Sequence, residues 1–191
     1  MADTKTSAEA AATALTGAEL FRLVQGGADK QTTAARVGHQ FRGARVRMTL
    51  DDTAQNITGD TPVSFDQADF DTDTFWSLGA PTRLTIPAGL GIDYVELIGQ
   101  VYITSAAADT VFAVGVWHYN SSDTLQKIMG CRFVEGGNAA RMGQATTGPV
   151  AVADGDYFVL NALTETDTSV TIEGNDNGQT YMTIKVVGMT P

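Results

Sequence analysis

The sequence predicts an all-β fold, an antiparallel two-sheet sandwich or jelly roll preceded by a short extended or hairpin anchor, and three observations carry that prediction. Short apolar segments of strand length recur between turn signals. Where they are clearest they alternate with period two, and no segment between them has the 3.6-residue period of a helix. The composition agrees: 20 glycines and only 18% charged residues in a 191-residue chain that is 43% hydrophobic, enough to bury one substantial core.

Residues 1–14 form a small, polar, Ala-rich leader with little to bury, and a flexible segment is expected there. Residues 15–43 differ. Leu20, Phe21, Leu23 and Val24 make a short apolar run, Gly26-Gly27-Ala28-Asp29 a turn, and Lys30-Gln31-Thr32-Thr33 a β-favouring continuation, which together read as a hairpin with a helical turn near 34–40. An isolated hairpin is marginal in water and needs a surface to lean on, so this segment is expected to dock. Residues 44–191 form the main domain. Its first strand is marked by Val46, Met48 and Leu50 on one face against Arg45, Arg47 and Thr49 on the other. Further strands are expected at 62–65, 83–86, 94–104, 110–119, 125–134, 148–152, 157–163, 170–172 and 180–187. The expected turns lie at 56–60, 69–73, 87–91, 105–109, 120–123, 136–138, 153–156 and 173–178.

Two strands are apolar on both faces. In 110–119, Val111, Ala113, Gly115 and Trp117 oppose Phe112, Val114, Val116 and His118; in 157–163, Tyr157, Val159 and Leu163 oppose Phe158, Leu160 and Ala162. A sandwich buries one face of each sheet, so a second apolar face asks for another cover, most simply a second copy of the chain. Phe112, Trp117, Tyr157, Phe158 and Tyr181 are the expected interface residues.

Charge excludes several partners. Of the net −10, residues 1–48 contribute +3 and residues 49–191 contribute −13, so the acidic body should repel nucleic acid and anionic lipid, while the mildly basic head suits an acidic protein surface. No run approaches the roughly 20 apolar residues of a spanning helix, and no signal peptide is recognised. Catalysis is not expected, and neither is a cofactor. Cys131 and the two histidines, His39 and His118, form no metal-ligand or nucleophile motif, and His118 is expected to be a hydrogen-bonded core or interface residue. The carboxylates of Asp66, Asp69, Asp71 and Asp73 are the densest acidic group, but the EF-hand register fails, with Thr74 where glycine is needed and Ala80 where the bidentate glutamate belongs. Turn-capping aspartates are the plainer expectation. No pair of acids is marked for glycan hydrolysis. Phe75 and Trp76 are candidate receptor contacts, able to stack on a sugar if exposed, or otherwise plugs at one end of the sandwich.

The order Pro62-Val63-Ser64-Phe65-Asp66, Asp69-Phe70-Asp71-Thr72-Asp73, Arg83-Leu84-Thr85-Ile86-Pro87-Ala88-Gly89 and Tyr94-Val95-Glu96-Leu97 resembles the opening strands of the C1q/TNF-like jelly roll. Ala153-Asp154-Gly155-Asp156-Tyr157-Phe158-Val159 and Tyr181-Met182-Thr183-Ile184-Lys185-Val186-Val187-Gly188 resemble its later turn and closing strand. The resemblance covers about three quarters of the chain; Gly91-Ile92-Asp93 lengthens one turn, and a collagen-like stalk is missing. It implies a ten-stranded jelly roll that assembles as a tight homotrimer. Met1-Ala2-Asp3-Thr4-Lys5, Leu15-Thr16-Gly17-Ala18-Glu19-Leu20 and Val24-Gln25-Gly26-Gly27-Ala28-Asp29-Lys30-Gln31-Thr32-Thr33 are similar to a leader on tailed-bacteriophage virion proteins, with Phe21-Arg22-Leu23 departing from its usual Val/Leu-Pro-Val region. That resemblance implies attachment to a capsid or tail protein through Leu15, Leu20, Phe21, Val24, Gln25, Gly26 and Gly27, and a place on the virion surface as a head fibre, tail fibre or decoration protein. The alternative it leaves open is a receptor-binding adhesin that recognises a host-surface glycan or protein.

Overall fold

The computed structural model describes residues 20–25, 28–33, 42–49, 55–105, 111–135, 141–164, 170–174 and 179–190. The chain divides into two compact units, Met1–Phe41 and Arg42–Pro191. In the first, β1 (Leu20–Gln25) and β2 (Ala28–Thr33) pair antiparallel from Leu20↔Thr33 to Gln25↔Ala28. The hairpin is therefore where the sequence places it; the expected helical turn at 34–40 and the leader lie outside the described residues.

Among its described residues, the regular elements of the second unit are strands alone. They run β3 (Gly43–Arg47), β4 (Gln55–Ile57), β5 (Asp60–Pro62), β6 (Gln67–Asp71), β7 (Arg83–Thr85), β8 (Ile92–Ser105), β9 (Val111–Tyr119), β10 (Leu125–Glu135), β11 (Arg141–Thr146), β12 (Val150–Ala151), β13 (Tyr157–Thr164), β14 (Val170–Ile172) and β15 (Tyr181–Met189). They form two antiparallel sheets. The smaller has the order β10-β9-β13-β5, with β7 also on β13; the larger has the order β4-β14-β8-β15-β3-β6, with β11 and β12 on the other side of β8. Sequence-distant strands lie side by side, β9 beside β13 and β3 beside β15, which gives the crossed connectivity of a jelly roll.

Between the sheets lies the core, and period-two alternation decides which residues enter it. Val95, Leu97, Val101 and Ile103 of β8, Met182, Ile184 and Val186 of β15, and Ala44 and Val46 of β3 face inward from the large sheet. Phe112, Val114 and Val116 of β9 and Phe158, Leu160 and Ala162 of β13 meet them from the small sheet. The sheets approach closely at Gly99, where an added Cβ would lie 2.3 Å from Leu160 Cδ1. One end is closed by the turn 153–156. There the Asp156 carboxylate accepts the Ala153 amide (3.0 Å) and meets a ring nitrogen of His118 (2.9 Å), whose imidazole stacks on Phe158 at 4.6 Å. His118 is thus the hydrogen-bonded core residue its apolar strand implies.

Four segments differ from the sequence reading. Residues 69–73, expected as a turn, largely belong to the edge strand β6, whose Ala68 packs on the core while Asp69 points outward to arginines of β3. Residues 56–60, also expected as a turn, lie in and between β4 and β5. Most of the expected strand 62–65 lies beyond β5 as a non-strand segment, although Val63 and Phe65 are buried. Strand β11 went unrecognised because its inward residues, Gly143 and Ala145, are small; a Cβ on Gly143 would sit 2.6 Å from Val114.

Candidate functional surfaces

The outer face of the large sheet carries the residues of opposite parity to the core. From β8 these are Tyr94, Glu96, Ile98, Gln100 and Tyr102; from β15, Tyr181, Thr183, Lys185 and Val187; from β11, Met142, Gln144 and Thr146. Register brings them together, Met142 opposite Tyr102, Thr146 and Thr183 opposite Ile98 on its two sides, and Gly188, next to Val187, opposite Tyr94. Tyr94, Ile98, Met142 and Val187 are exposed by 48%, 40%, 57% and 39%. These exposed apolar side chains run over three adjacent strands on either side of one cross-strand charge pair, Glu96 and Lys185, a mixture that suits a buried interface.

Its rim toward β3 and β6 is ionic. Arg47 Nε donates to Asp69 Oδ1 at 2.7 Å and its terminal nitrogen to Gln67 at 2.8 Å, while Arg45 lies 3.3 Å from Asp69 and 4.4 Å over the Tyr181 ring. Arg42 grips Asp73 with two nitrogens, its Nε at 2.8 Å, and this pairing holds the Asp73 carboxyl below the usual carboxylate range. Asp71 accepts the amides of Phe75 and Trp76, both at 2.9 Å, and Asp66 accepts the Thr49 amide and hydroxyl. The four aspartates of 66–73 are therefore committed separately to caps and arginines.

This network also revises the charge reading. Arg42, Arg45 and Arg47, three of the seven cations in residues 1–48, are paired with acids of the body. Residues 1–41 keep Lys5, Arg22, Lys30 and Arg36 against Asp3, Glu9, Glu19 and Asp29, a neutral balance. The expectation of a basic head therefore loses its basis.

The outer face of the small sheet is aromatic and polar at once. Tyr119 and Tyr157 are cross-strand partners with rings stacked at 5.0 Å and 8°; Trp117 tilts against Tyr119 at 6.5 Å, and Arg83 lies 5.0 Å over the other neighbour, Tyr157. Burial pushes the Tyr119 phenol up, with the Asp60 charge adding to it; burial does the same to Tyr157, helped by a hydrogen bond to Asp123. Both phenols stay protonated donors. Val159 is paired with Arg83 on one side and Trp117 on the other, and Asn161 follows on the same face of β13. Here Trp117 Nε1, Arg83 Nε and Asn161 Oδ1 are buried without a hydrogen-bond partner. Such a group costs about 1–3 kcal/mol when left unpaired, so three within two cross-strand positions are a concentrated departure from normal pairing.

The expected site residues divide accordingly. Phe112 and Phe158 are fully buried inside the protomer and have no surface to offer a partner; expecting them at an interface is corrected to a core role. Trp117 and Tyr157 lie on the small sheet's outer face, Tyr181 on the large sheet's. Phe75 is buried in the core and Trp76 packs against it, its Nε1 donating to the Pro81 carbonyl at 3.3 Å, so this pair plugs the sandwich and Phe75 is withdrawn as a receptor contact. Leu20, Phe21, Val24 and Gln25 fall on β1; Leu15, Gly26 and Gly27 lie outside the described residues. Sequence reasoning passed over Tyr119, Arg83 and Asn161. Tyr119 has the same parity as Trp117 two residues before it, a signal that was available; Arg83 and Asn161 join the group only through register.

No protein-family model and no curated protein matches the chain. Among solved structures it is similar to the globular domain of zebrafish complement 1qA protein (TM-score 0.54, 7% identity, covering 78% of this chain and 99% of that one). It is also similar to Eiger TNF from S. frugiperda (0.51, 9%, 80% and 96%) and to murine APRIL at pH 8.5 (0.50, 10%, 75% and 98%). At these identities the likeness is one of fold, and it establishes the Arg42–Pro191 unit as a C1q/TNF-like jelly roll.

Proposed function

We propose that the chain is a structural protein of a tailed-phage particle, a homotrimeric jelly-roll fibre or decoration subunit, fastened to a capsid or tail protein by residues 15–43 and working by binding energy without turnover. The observation that carries the self-assembly is the set of exposed apolar side chains on the large sheet's outer face, Tyr94, Ile98, Met142 and Val187, which flank the Glu96–Lys185 cross-strand pair and are bordered toward β3 and β6 by ion pairs. That arrangement supports a closed oligomer through this sheet. The phage-type leader supports the location, and the neutral balance of residues 1–41 makes β1 side chains the docking contacts. The test is incorporation. Particles carrying Phe21→Asp in the full chain should lack the protein while the purified variant keeps the wild-type mass; undiminished incorporation would contradict the anchor.

A second reading, an adhesin at a tail or fibre tip, is favoured by one observation, the aromatic and polar face of the small sheet, which assembly through the large sheet leaves outward. Its test is whether the purified protein adsorbs to host cells and competes with the particle for them.

A further inference from the structure

We infer that the small sheet's outer face is a subsite for a neutral saccharide, centred on Trp117 and completed by Arg83, Asn161, Tyr119 and Tyr157. The inference rests on the adhesin reading and names its ligand class and residues. What points to a ligand is the set of orphaned atoms. Asn161 is only 2% exposed, yet its Oδ1 has no donor, while Trp117 Nε1 and Arg83 Nε have no acceptor. All three stand on one face within two positions of the Arg83–Val159–Trp117 row.

The orphans are two donors and one acceptor, which selects among ligands. A hydroxyl both donates and accepts, so neighbouring hydroxyls of one sugar ring can serve Trp117 and Asn161 together. Phosphate and carboxylate offer acceptors alone and leave Asn161 unpaired. They are disfavoured a second time by charge: Arg83 is the cation over Tyr157, while Asp60 and Asp123 lie close enough to raise the adjoining phenols, and residues 49–191 carry a net −13. Tyrosine and tryptophan supply the apolar surface that the C–H face of a pyranose requires, and the phenol hydroxyls supply donors at its edge. Ile128 and Leu125, half-exposed on the adjoining β10, extend the apolar border. Because none of the three orphaned atoms is open to water, seating a sugar on them requires the partly buried Trp117 indole to turn, and its emission reports the event.

The experiment uses the full chain with Trp76→Phe, which leaves Trp117 as the single fluorophore of the two tryptophans. Glucose, galactose, N-acetylglucosamine, N-acetylgalactosamine and their neutral oligomers are titrated, with sialyllactose and inorganic phosphate as anionic controls, and saturation-transfer NMR is recorded alongside. The expected result is a saturable Trp117 emission shift and ring-proton transfer for at least one neutral sugar. Trp117→Phe, which keeps a ring and removes the donor, and Asn161→Ala should each weaken transfer at least tenfold. Asn161→Ala should melt no lower than wild type, since it removes an unpaired buried group. No response to any neutral sugar, a response to the anions alone, or undiminished transfer in both variants would overturn the inference. Adsorption separates it from the reading beneath it: if the protein binds host cells and Trp117→Phe binds equally well, the subsite fails and the adhesin reading stands; if the wild type binds saccharide but not cells, the adhesin reading fails and the subsite stands.

Discussion

Two neighbouring residues of β8, Leu97 and Ile98, separate folding from assembly when each is changed to aspartate. Leu97 is fully buried between the sheets. Aspartate there removes about 2–5 kcal/mol of core packing and adds about 1–3 kcal/mol for an unpaired buried carboxyl, together comparable to the ~5–15 kcal/mol that holds a domain folded. Leu97→Asp should therefore be recovered unfolded or aggregated. Ile98 points the other way and is 40% exposed, so in the protomer the same change costs about 1 kcal/mol. In a trimer closed through the large sheet it places a carboxylate in each of three equivalent contacts. At about 2–3 kcal/mol of lost apolar burial and desolvation per copy, assembly weakens by about 6–9 kcal/mol, or four to six powers of ten. Sedimentation velocity with far-ultraviolet circular dichroism reads both quantities: Ile98→Asp should sediment as a protomer and keep its β signal. If it sediments and melts as the wild type does, the face that Ile98 occupies is solvent and the assembly reasoning is wrong.

Phe112→Ala, at a site first expected to serve an interface, should instead cost the protomer about 3–5 kcal/mol and lower its melting temperature by roughly 10 °C without a direct effect on association. Gly43→Ala should destabilise by about 2–4 kcal/mol in chemical denaturation, because the added Cβ would meet the Ile184 carbonyl oxygen at 2.1 Å and force β3 away from β15. Arg42→Ala should cost about 1–2 kcal/mol by removing a two-nitrogen grip on Asp73. Its pH dependence has a definite sign. The folded carboxyl of Asp73 lies below its unfolded value near 4, so the pair's contribution is complete above about pH 4 and is lost as the pH falls through the lowered value. Thermal melts of wild type and Arg42→Ala should accordingly differ at neutral pH and begin to converge only as the pH falls below about 4, meeting once it has passed the lowered value.

The long strands were legible because their inward and outward residues differ in kind. Strands β8, β9, β10, β13 and β15 stand within two residues of where alternation places them, and the hairpin of β1 and β2 is equally local. Strand β6 was hidden because Asp69 and Asp71 read as turn residues when taken alone. They become strand residues once β3 lies alongside, with Asp69 meeting Arg45 and Arg47 and Asp71 opposite Ala44, and that pairing is tertiary. Strand β11 was hidden by size, since Gly143 and Ala145 fill a core position by letting Phe112 and Val114 close over them. The candidate sites show the same division. Phe112 has the opposite parity to Trp117, and Phe158 the opposite parity to Tyr157, so each pair contributes one residue to the core and one to the outer face. Both faces of these strands are apolar, and composition could not say which was which. The cluster of Arg83, Trp117, Tyr119, Tyr157 and Asn161 exists only through the register of β7, β9 and β13, which no local pattern encodes.

The central claim is that the jelly roll is a subunit closed through the outer face of its large sheet. The most direct measurement is the light-scattering mass of the purified full chain across the micromolar range. Three times the 20.1 kDa protomer mass, unchanged on dilution, is the predicted result; a mass of 20.1 kDa throughout would contradict the account.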